Sequence, residues 1–124
     1  MDSYRLTRCE LEIMDVVWKR GEATVQQVCD DLTRPLAYTT VMTTLSILES
    51  KKRVLNRYKQ SRAYIYRPVV SRAEVSRVTL LDLRKVLFAD SLPSLMLNLV
   101  SDDSLTESDI SALKAALEKV EGRN

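Results

Sequence analysis

The sequence predicts a mainly α-helical chain carrying one small β-hairpin, and three observations point there. Glycine occurs twice and proline three times, too rarely for an all-β chain, whose many turns need those residues. Apolar residues recur at helical spacing behind capping-box signals, in which a hydroxyl and a residue three positions later satisfy free backbone donors reciprocally. Around residues 54–67 the pattern shifts to the two-residue alternation of strands.

Each element has its own signal. Thr7-Arg8-Cys9-Glu10 opens a first helix running to about Arg20, with Leu6, Ile13, Met14, Val17 and Trp18 on its apolar side. Gly21 supplies a left-handed stop. Thr24-Val25-Gln26-Gln27 opens a short second helix with Val25, Val28, Cys29 and Leu32 facing inward. Pro35 disfavours helical geometry at Arg34, so this helix ends near Leu32 or Thr33. A third helix runs from about Tyr38 to Lys51. At 100° per residue, Val41, Thr44, Leu45 and Leu48 share one face, and the opposite face carries Thr39, Thr43, Ser46 and Ser50, flanked by Thr40, Met42 and Ile47.

Val54-Leu55-Asn56-Arg57-Tyr58-Lys59 and Tyr64-Ile65-Tyr66-Arg67 are β-branched, aromatic and alternating, the marks of two strands. The link Gln60-Ser61-Arg62-Ala63 lacks Gly, Asn and Asp, which argues against a tight primed turn and for a looser tip. Pro68 ends the second strand or lies at an edge. Beyond it, Ser71-Arg72-Ala73-Glu74 opens a long helix to about Ala89, Pro93 opens a short one, and Thr106-Glu107-Ser108-Asp109 starts a last one with Ile110, Leu113, Leu117 and Val120 in helical spacing.

Composition narrows the function. Of 124 residues, 45% are hydrophobic and 29% charged, the balance of a soluble globular protein. No apolar run approaches the roughly 18 residues that span a bilayer, and Met1-Asp2-Ser3-Tyr4-Arg5 lacks the layout of a secretion signal. These features predict a cytoplasmic chain without membrane insertion. Histidine is absent, which removes the commonest general base and the commonest neutral metal ligand. Gly21 and Gly122 cannot build a phosphate loop. The pairs Asp30-Asp31 and Asp102-Asp103 fall in polar surface patterns, and Cys9 and Cys29 read as reduced, packed thiols. No catalytic residue, metal site or cofactor is expected.

Charge distribution says more than its total. Residues 51–67 hold Lys51, Lys52, Arg53, Arg57, Lys59, Arg62 and Arg67 and no acid, a local positive field suited to a polyanion. Three helices followed by a two-stranded hairpin is the order of a winged helix-turn-helix. The short hydroxylated side chains of the third helix can approach base edges closely, and threonine both hydrogen-bonds and offers a methyl to thymine. The expected partner is double-stranded DNA. The residues predicted to meet it are Tyr38, Thr39, Thr40, Met42, Thr43 and Ser46 on the third helix, Lys51 and Lys52 after it, and Lys59 and Arg62 on the wing.

The chain is thus predicted to divide into a DNA-binding part, residues 1–70, and a helical dimerisation part, residues 71–124. The second part is apolar but too short to enclose a stable core alone. Pairing with a second copy solves this, since a twofold interface buries the same patch on both chains. Val78, Leu81, Leu95, Leu99, Leu113 and Leu117 are the expected contacts of a homodimer. The alternatives are a winged-helix adaptor that binds another protein through these helices, or a repressor of the same fold that answers a different signal.

Three segments carry a family resemblance: Leu11-Glu12-Ile13-Met14-Asp15-Val16-Val17-Trp18, Ala37-Tyr38-Thr39-Thr40-Val41-Met42-Thr43-Thr44-Leu45, and Tyr64-Ile65-Tyr66. With them the chain resembles the BlaI/MecI family of penicillinase repressors over nearly its whole length. The resemblance implies a dimeric repressor of a palindromic operator upstream of resistance or stress genes. It also implies release by proteolysis, triggered by a membrane-bound sensor protease that detects β-lactam. The stretch matching the family's cleavage region is Leu95-Met96-Leu97-Asn98-Leu99-Val100, with the scissile bond between Asn98 and Leu99. The family has Phe where this chain has Leu99, and Arg where it has Met42 and Ile47. Met and Ile cannot make arginine's bidentate contact to guanine, so the half-site read here is expected to differ. Copper-responsive relatives add a cysteine-rich C-terminus, and no cysteine follows Cys29.

Overall fold

The computed structural model describes residues 5–101 and 105–123. Among them the chain forms α1 (Arg8–Arg20), α2 (Val25–Asp31), α3 (Tyr38–Ser50), β1 (Leu55–Gln60), β2 (Ala63–Pro68), α4 (Arg72–Leu87), α5 (Leu92–Val100) and α6 (Glu107–Gly122). The architecture is a winged helix-turn-helix followed by further helices, as the sequence predicts. By internal contacts the chain parts into two compact units between Asp82 and Leu83, inside α4.

Capping explains where the helices begin. The Thr7 hydroxyl accepts from the Glu10 amide at 3.2 Å, and the Glu10 carboxylate accepts from the Thr7 amide at 2.8 Å. Thr24 with Gln27, Ser71 with Glu74 and Thr106 with Asp109 repeat the exchange. Each box satisfies donors that a helix start leaves free. Gly21 stops α1 at φ 87°, its amide bonded to the Val17 carbonyl at 2.8 Å. A side chain would be strained in that conformation. At the start of α3, Ala37 offers no capping side chain, so the first amides of that helix stay open to a ligand or water.

The core of the first unit is built from Ile13, Met14 and Val17 of α1, Val28 of α2 and Val41, Leu45 and Leu48 of α3, all fully buried. Val54, Leu55, Tyr66 and Val70 close it from the hairpin, and Val75 extends it into α4. The first turns of α4 therefore belong with α1. The Trp18 indole donates to the Val70 carbonyl at 3.0 Å, and Arg72 pairs with Asp15 at 2.8 Å.

β1 and β2 pair antiparallel from Leu55↔Pro68 to Gln60↔Ala63. Two departures from expectation appear here. The tip is a tight two-residue turn rather than a loose one, with Ser61 at φ 57°. Positive φ at the first loop position alone is the II′ pattern, which suits the strands' twist; the pairing of six residues on each side outweighs serine's reluctance to adopt it. Second, Ala23 adds a bridge to the free edge of β2, exchanging hydrogen bonds with Tyr66 at 2.9 and 2.8 Å. The wing is thereby stitched to the α1–α2 connection.

In the second unit, Ala89 and Asp90 both take positive φ and reverse the chain between α4 and α5, with Arg84 bonded to Asp90 at 2.9 Å. Leu95 is its one buried hydrophobic among the described residues. The exposed apolar residues include Val86, Leu87, Leu97, Leu99, Leu113, Leu117 and Val120.

Candidate nucleic-acid interface

The inward stripe of α3 fixes what its other side presents. With Val41, Leu45 and Leu48 anchored in the core, the exposed face carries Tyr38, Thr39, Thr40, Met42, Thr43 and Ser46. Thr44 and Ser50 turn back instead, their hydroxyls donating to the Thr40 and Ser46 carbonyls at 2.7 Å each. Threonines 39, 40, 43 and 44 line a shallow hollow on the helix surface.

Across from this face stands the wing, and between them runs an open cleft of about 660 Å³. Tyr38, Met42, Thr43 and Ser46 line it from α3, Thr24 and Gln26 from the start of α2, and Arg57, Arg62 and Tyr64 from the hairpin. The structure thus brings the predicted α3 residues and Arg62 to one surface. Lys59 is exposed on β1 and Lys51 at the end of α3.

Lys52 is engaged elsewhere. Its ammonium donates to the Arg5 carbonyl at 2.7 Å and lies 3.5 Å from the Glu10 carboxylate, so it neutralises a buried acid rather than facing outward. Of the expected dimer residues, Leu81, Leu99, Leu113 and Leu117 are exposed, Val78 is half-buried and Leu95 is buried. Asn98 and Leu99 lie within the last turns of α5.

The tyrosines order the wing in a way that the alternation of its strands does not reveal. On the cleft face the Arg57 guanidinium lies 4.3 Å from the Tyr64 ring centre, with the Lys59 ammonium at 5.9 Å. On the other face Arg67 covers Tyr58 at 4.5 Å, and both bond to Glu22, the Tyr58 hydroxyl at 2.9 Å and Arg67 at 3.1 Å. Alternation predicts that Arg57 and Lys59 share a face; nothing local shows that a ring lies beneath them.

The cysteines are free thiols, half-buried, and burial together with the neighbouring Asp30 charge pushes the Cys29 thiol up. The shift favours the protonated thiol over the thiolate. Among the described residues no cluster of His, Cys, Asp and Glu is arranged to hold a metal, and no helix is long and apolar enough to cross a membrane.

Fold and surface together define a winged-helix regulator with a hydroxylated, cation-free third helix beside a cationic wing. A family model described as penicillinase repressor matches residues 6–119. The penicillinase repressor of Bacillus licheniformis is 27% identical over 121 residues, 96% of this chain and 94% of that protein. The transcriptional regulator BlaI of Mycobacterium tuberculosis is 37% identical over 121 residues, 94% and 86% of the two chains. The solution structure of the DNA binding domain of the repressor BlaI superposes with a TM-score of 0.53 at 29% identity, covering 59% of this chain and 90% of that one. The chain belongs to the penicillinase repressor family, and is a transcriptional repressor rather than an enzyme.

Proposed function

We propose that this chain represses transcription in the cytoplasm as a homodimer on a palindromic operator, residues 1–70 binding DNA and residues 71–124 pairing the two copies. The observation that carries the reading is the single cleft shared by the exposed face of α3 and the wing. Each protomer places α3 in a major groove, where Thr43, Thr39 and Met42 meet base edges and the open amides at the helix start approach a phosphate. Lys51, Lys59 and Arg62 meet the backbone beside it. Half-sites lie about one helical turn apart, or a multiple of it. The names of the relatives support β-lactam resistance or related stress genes as the targets.

Release follows from cleavage between Asn98 and Leu99 by a membrane-bound sensor protease. The bond lies in a regular helix, and a protease takes an extended strand, so α5 must open locally before it is cut. Losing the helices beyond it then separates the protomers and, with them, the linked half-sites.

Selection of bound duplexes from a randomised pool tests the core of this reading. A twofold-symmetric site is expected, and Thr43→Ala relaxes it at one or two base pairs, about 1–3 kcal/mol of discrimination. Recovery of no preferred sequence, with equal weak binding to every duplex or none, favours the protein adaptor instead.

A further inference from the structure

The exposed face of α3 holds no arginine, lysine, asparagine or glutamine, so the helix that enters the groove brings no cation with it. A polyanion must then be neutralised from the walls of the cleft. Two guanidinium groups stand there, Arg57 and Arg62. Arg62 lies in the two-residue turn, whereas Arg57 is fixed from two sides. Tyr64 lies diagonally across the hairpin and stacks on the guanidinium at 4.3 Å, and Glu49, near the end of α3, approaches its Nε at 3.9 Å. Stacking occupies the flat face of the guanidinium, and Glu49 and the Tyr66 hydroxyl hold part of its edge, so the remaining N–H donors are the ones that reach a phosphate. Lys59 sits against the same ring at 5.9 Å. Two cations crowded on one tyrosine repel each other until an anion comes between them.

We propose that Arg57 is a backbone-phosphate contact of this repressor and that Tyr64 is its positioning residue, an inference that rests on the DNA-binding reading above. The arrangement moves the cationic role from the reading helix to the wing. Affinity then comes from Arg57, Lys59 and Arg62 together with Lys51 at the end of α3, while discrimination stays with the threonines of α3.

The test is fluorescence anisotropy over a salt series, with two duplexes: one recovered from the randomised pool and one of random sequence. Arg57→Ala, which removes the contact from both protomers of the bound dimer, is expected to weaken both by about a hundredfold at a given salt, about tenfold per protomer, and to reduce the log–log salt slope by about 1.8, one phosphate's worth from each protomer. Arg57→Gln, which keeps a polar strand residue of similar length, should do the same, and guards against misfolding of the alanine variant. Tyr64→Phe keeps the ring and should bind as the wild type does. Tyr64→Leu should weaken binding in the wild-type background and have no further effect beside Arg57→Ala. Unchanged affinity and slope in both Arg57 variants would overturn the proposal. So would a loss confined to the selected duplex, the mark of a base contact, or additive effects of the two positions. A wild-type chain that binds neither duplex would instead sink the functional reading itself.

Discussion

The two compact units of this chain solve burial in opposite ways. The first encloses seven fully buried side chains from three helices and seals them with the hairpin. The second buries Leu95 and leaves leucines and valines at the surface along all of its helices; Leu113 and Leu117 are 39% and 52% exposed, Val86 71%. Single exposed apolar residues are ordinary, but a continuous row is not. Ile110, Leu113, Leu117 and Val120 make such a row on α6. The first unit has the interior of a self-sufficient domain, and the second has the exposed apolar row that the proposed pairing of two copies would cover.

Breaking the proposed pairing should give the largest effect. Leu113→Glu together with Leu117→Glu should yield monomers by analytical ultracentrifugation and weaken operator binding by about 10² to 10⁴, the range by which linking two binding modules raises avidity. The first unit should keep its own thermal transition, reported by Trp18. A chain that stays dimeric with both charges in place would show that the copies pair through another surface.

The same contrast predicts a difference in kind between two leucine deletions. Leu45→Ala opens a cavity in a closed core and should cost about 2–5 kcal/mol, whatever the protein concentration. On the proposed pairing, Leu117→Ala removes a contact made between copies, so its effect on the melting temperature should change with concentration. Melts of both variants over a dilution series check this. A concentration-independent cost at Leu117 would place that side chain inside its own protomer.

What the sequence reveals follows the same division between local and distant. Capping boxes act within four residues, so Thr7, Thr24, Ser71 and Thr106 mark their helix starts without help from the rest of the chain. The period of α3 likewise identifies Val41, Leu45 and Leu48 as its buried side, and by exclusion the candidate interface. Long-range partners escape such reading. Nothing near Lys52 announces that Glu10, far off in sequence, needs its charge. Nor does Ala23 advertise its bridge to Tyr66. The tip misleads for a related reason: the residues of Ser61-Arg62 disfavour a tight turn, but the paired strands impose it. Arg57 was visible as one of seven bases, yet its place over Tyr64 depends on a register that the turn sets.

Acid should distinguish the units more gently. Three carboxylates of the first unit are held below their ordinary values. The Arg34 hydrogen bond at 2.6 Å lowers Glu12, and the Arg20 bond at 2.6 Å lowers Asp31. Burial pushes Asp15 up, but hydrogen bonds from Arg72 and Lys19 outweigh it and leave it low. A carboxylate lower in the folded than in the unfolded chain stabilises the fold above its unfolded value, near 4, and that contribution is lost as pH falls through the folded value. All three groups are exposed enough for solvent to screen them, so the decline should be shallow. With no histidine in the chain, no side chain of ordinary pKa changes charge between about pH 5 and 8. Urea midpoints followed by the fluorescence of Trp18, which lies in the first unit, should therefore be flat across that range and fall below about pH 4. Asp31→Asn should flatten the acid limb in part, because it removes one of the three titrating partners. A midpoint that rises on acidification would mean that these ion pairs do not hold the first unit together, leaving its apolar core as the whole of its advantage over the second.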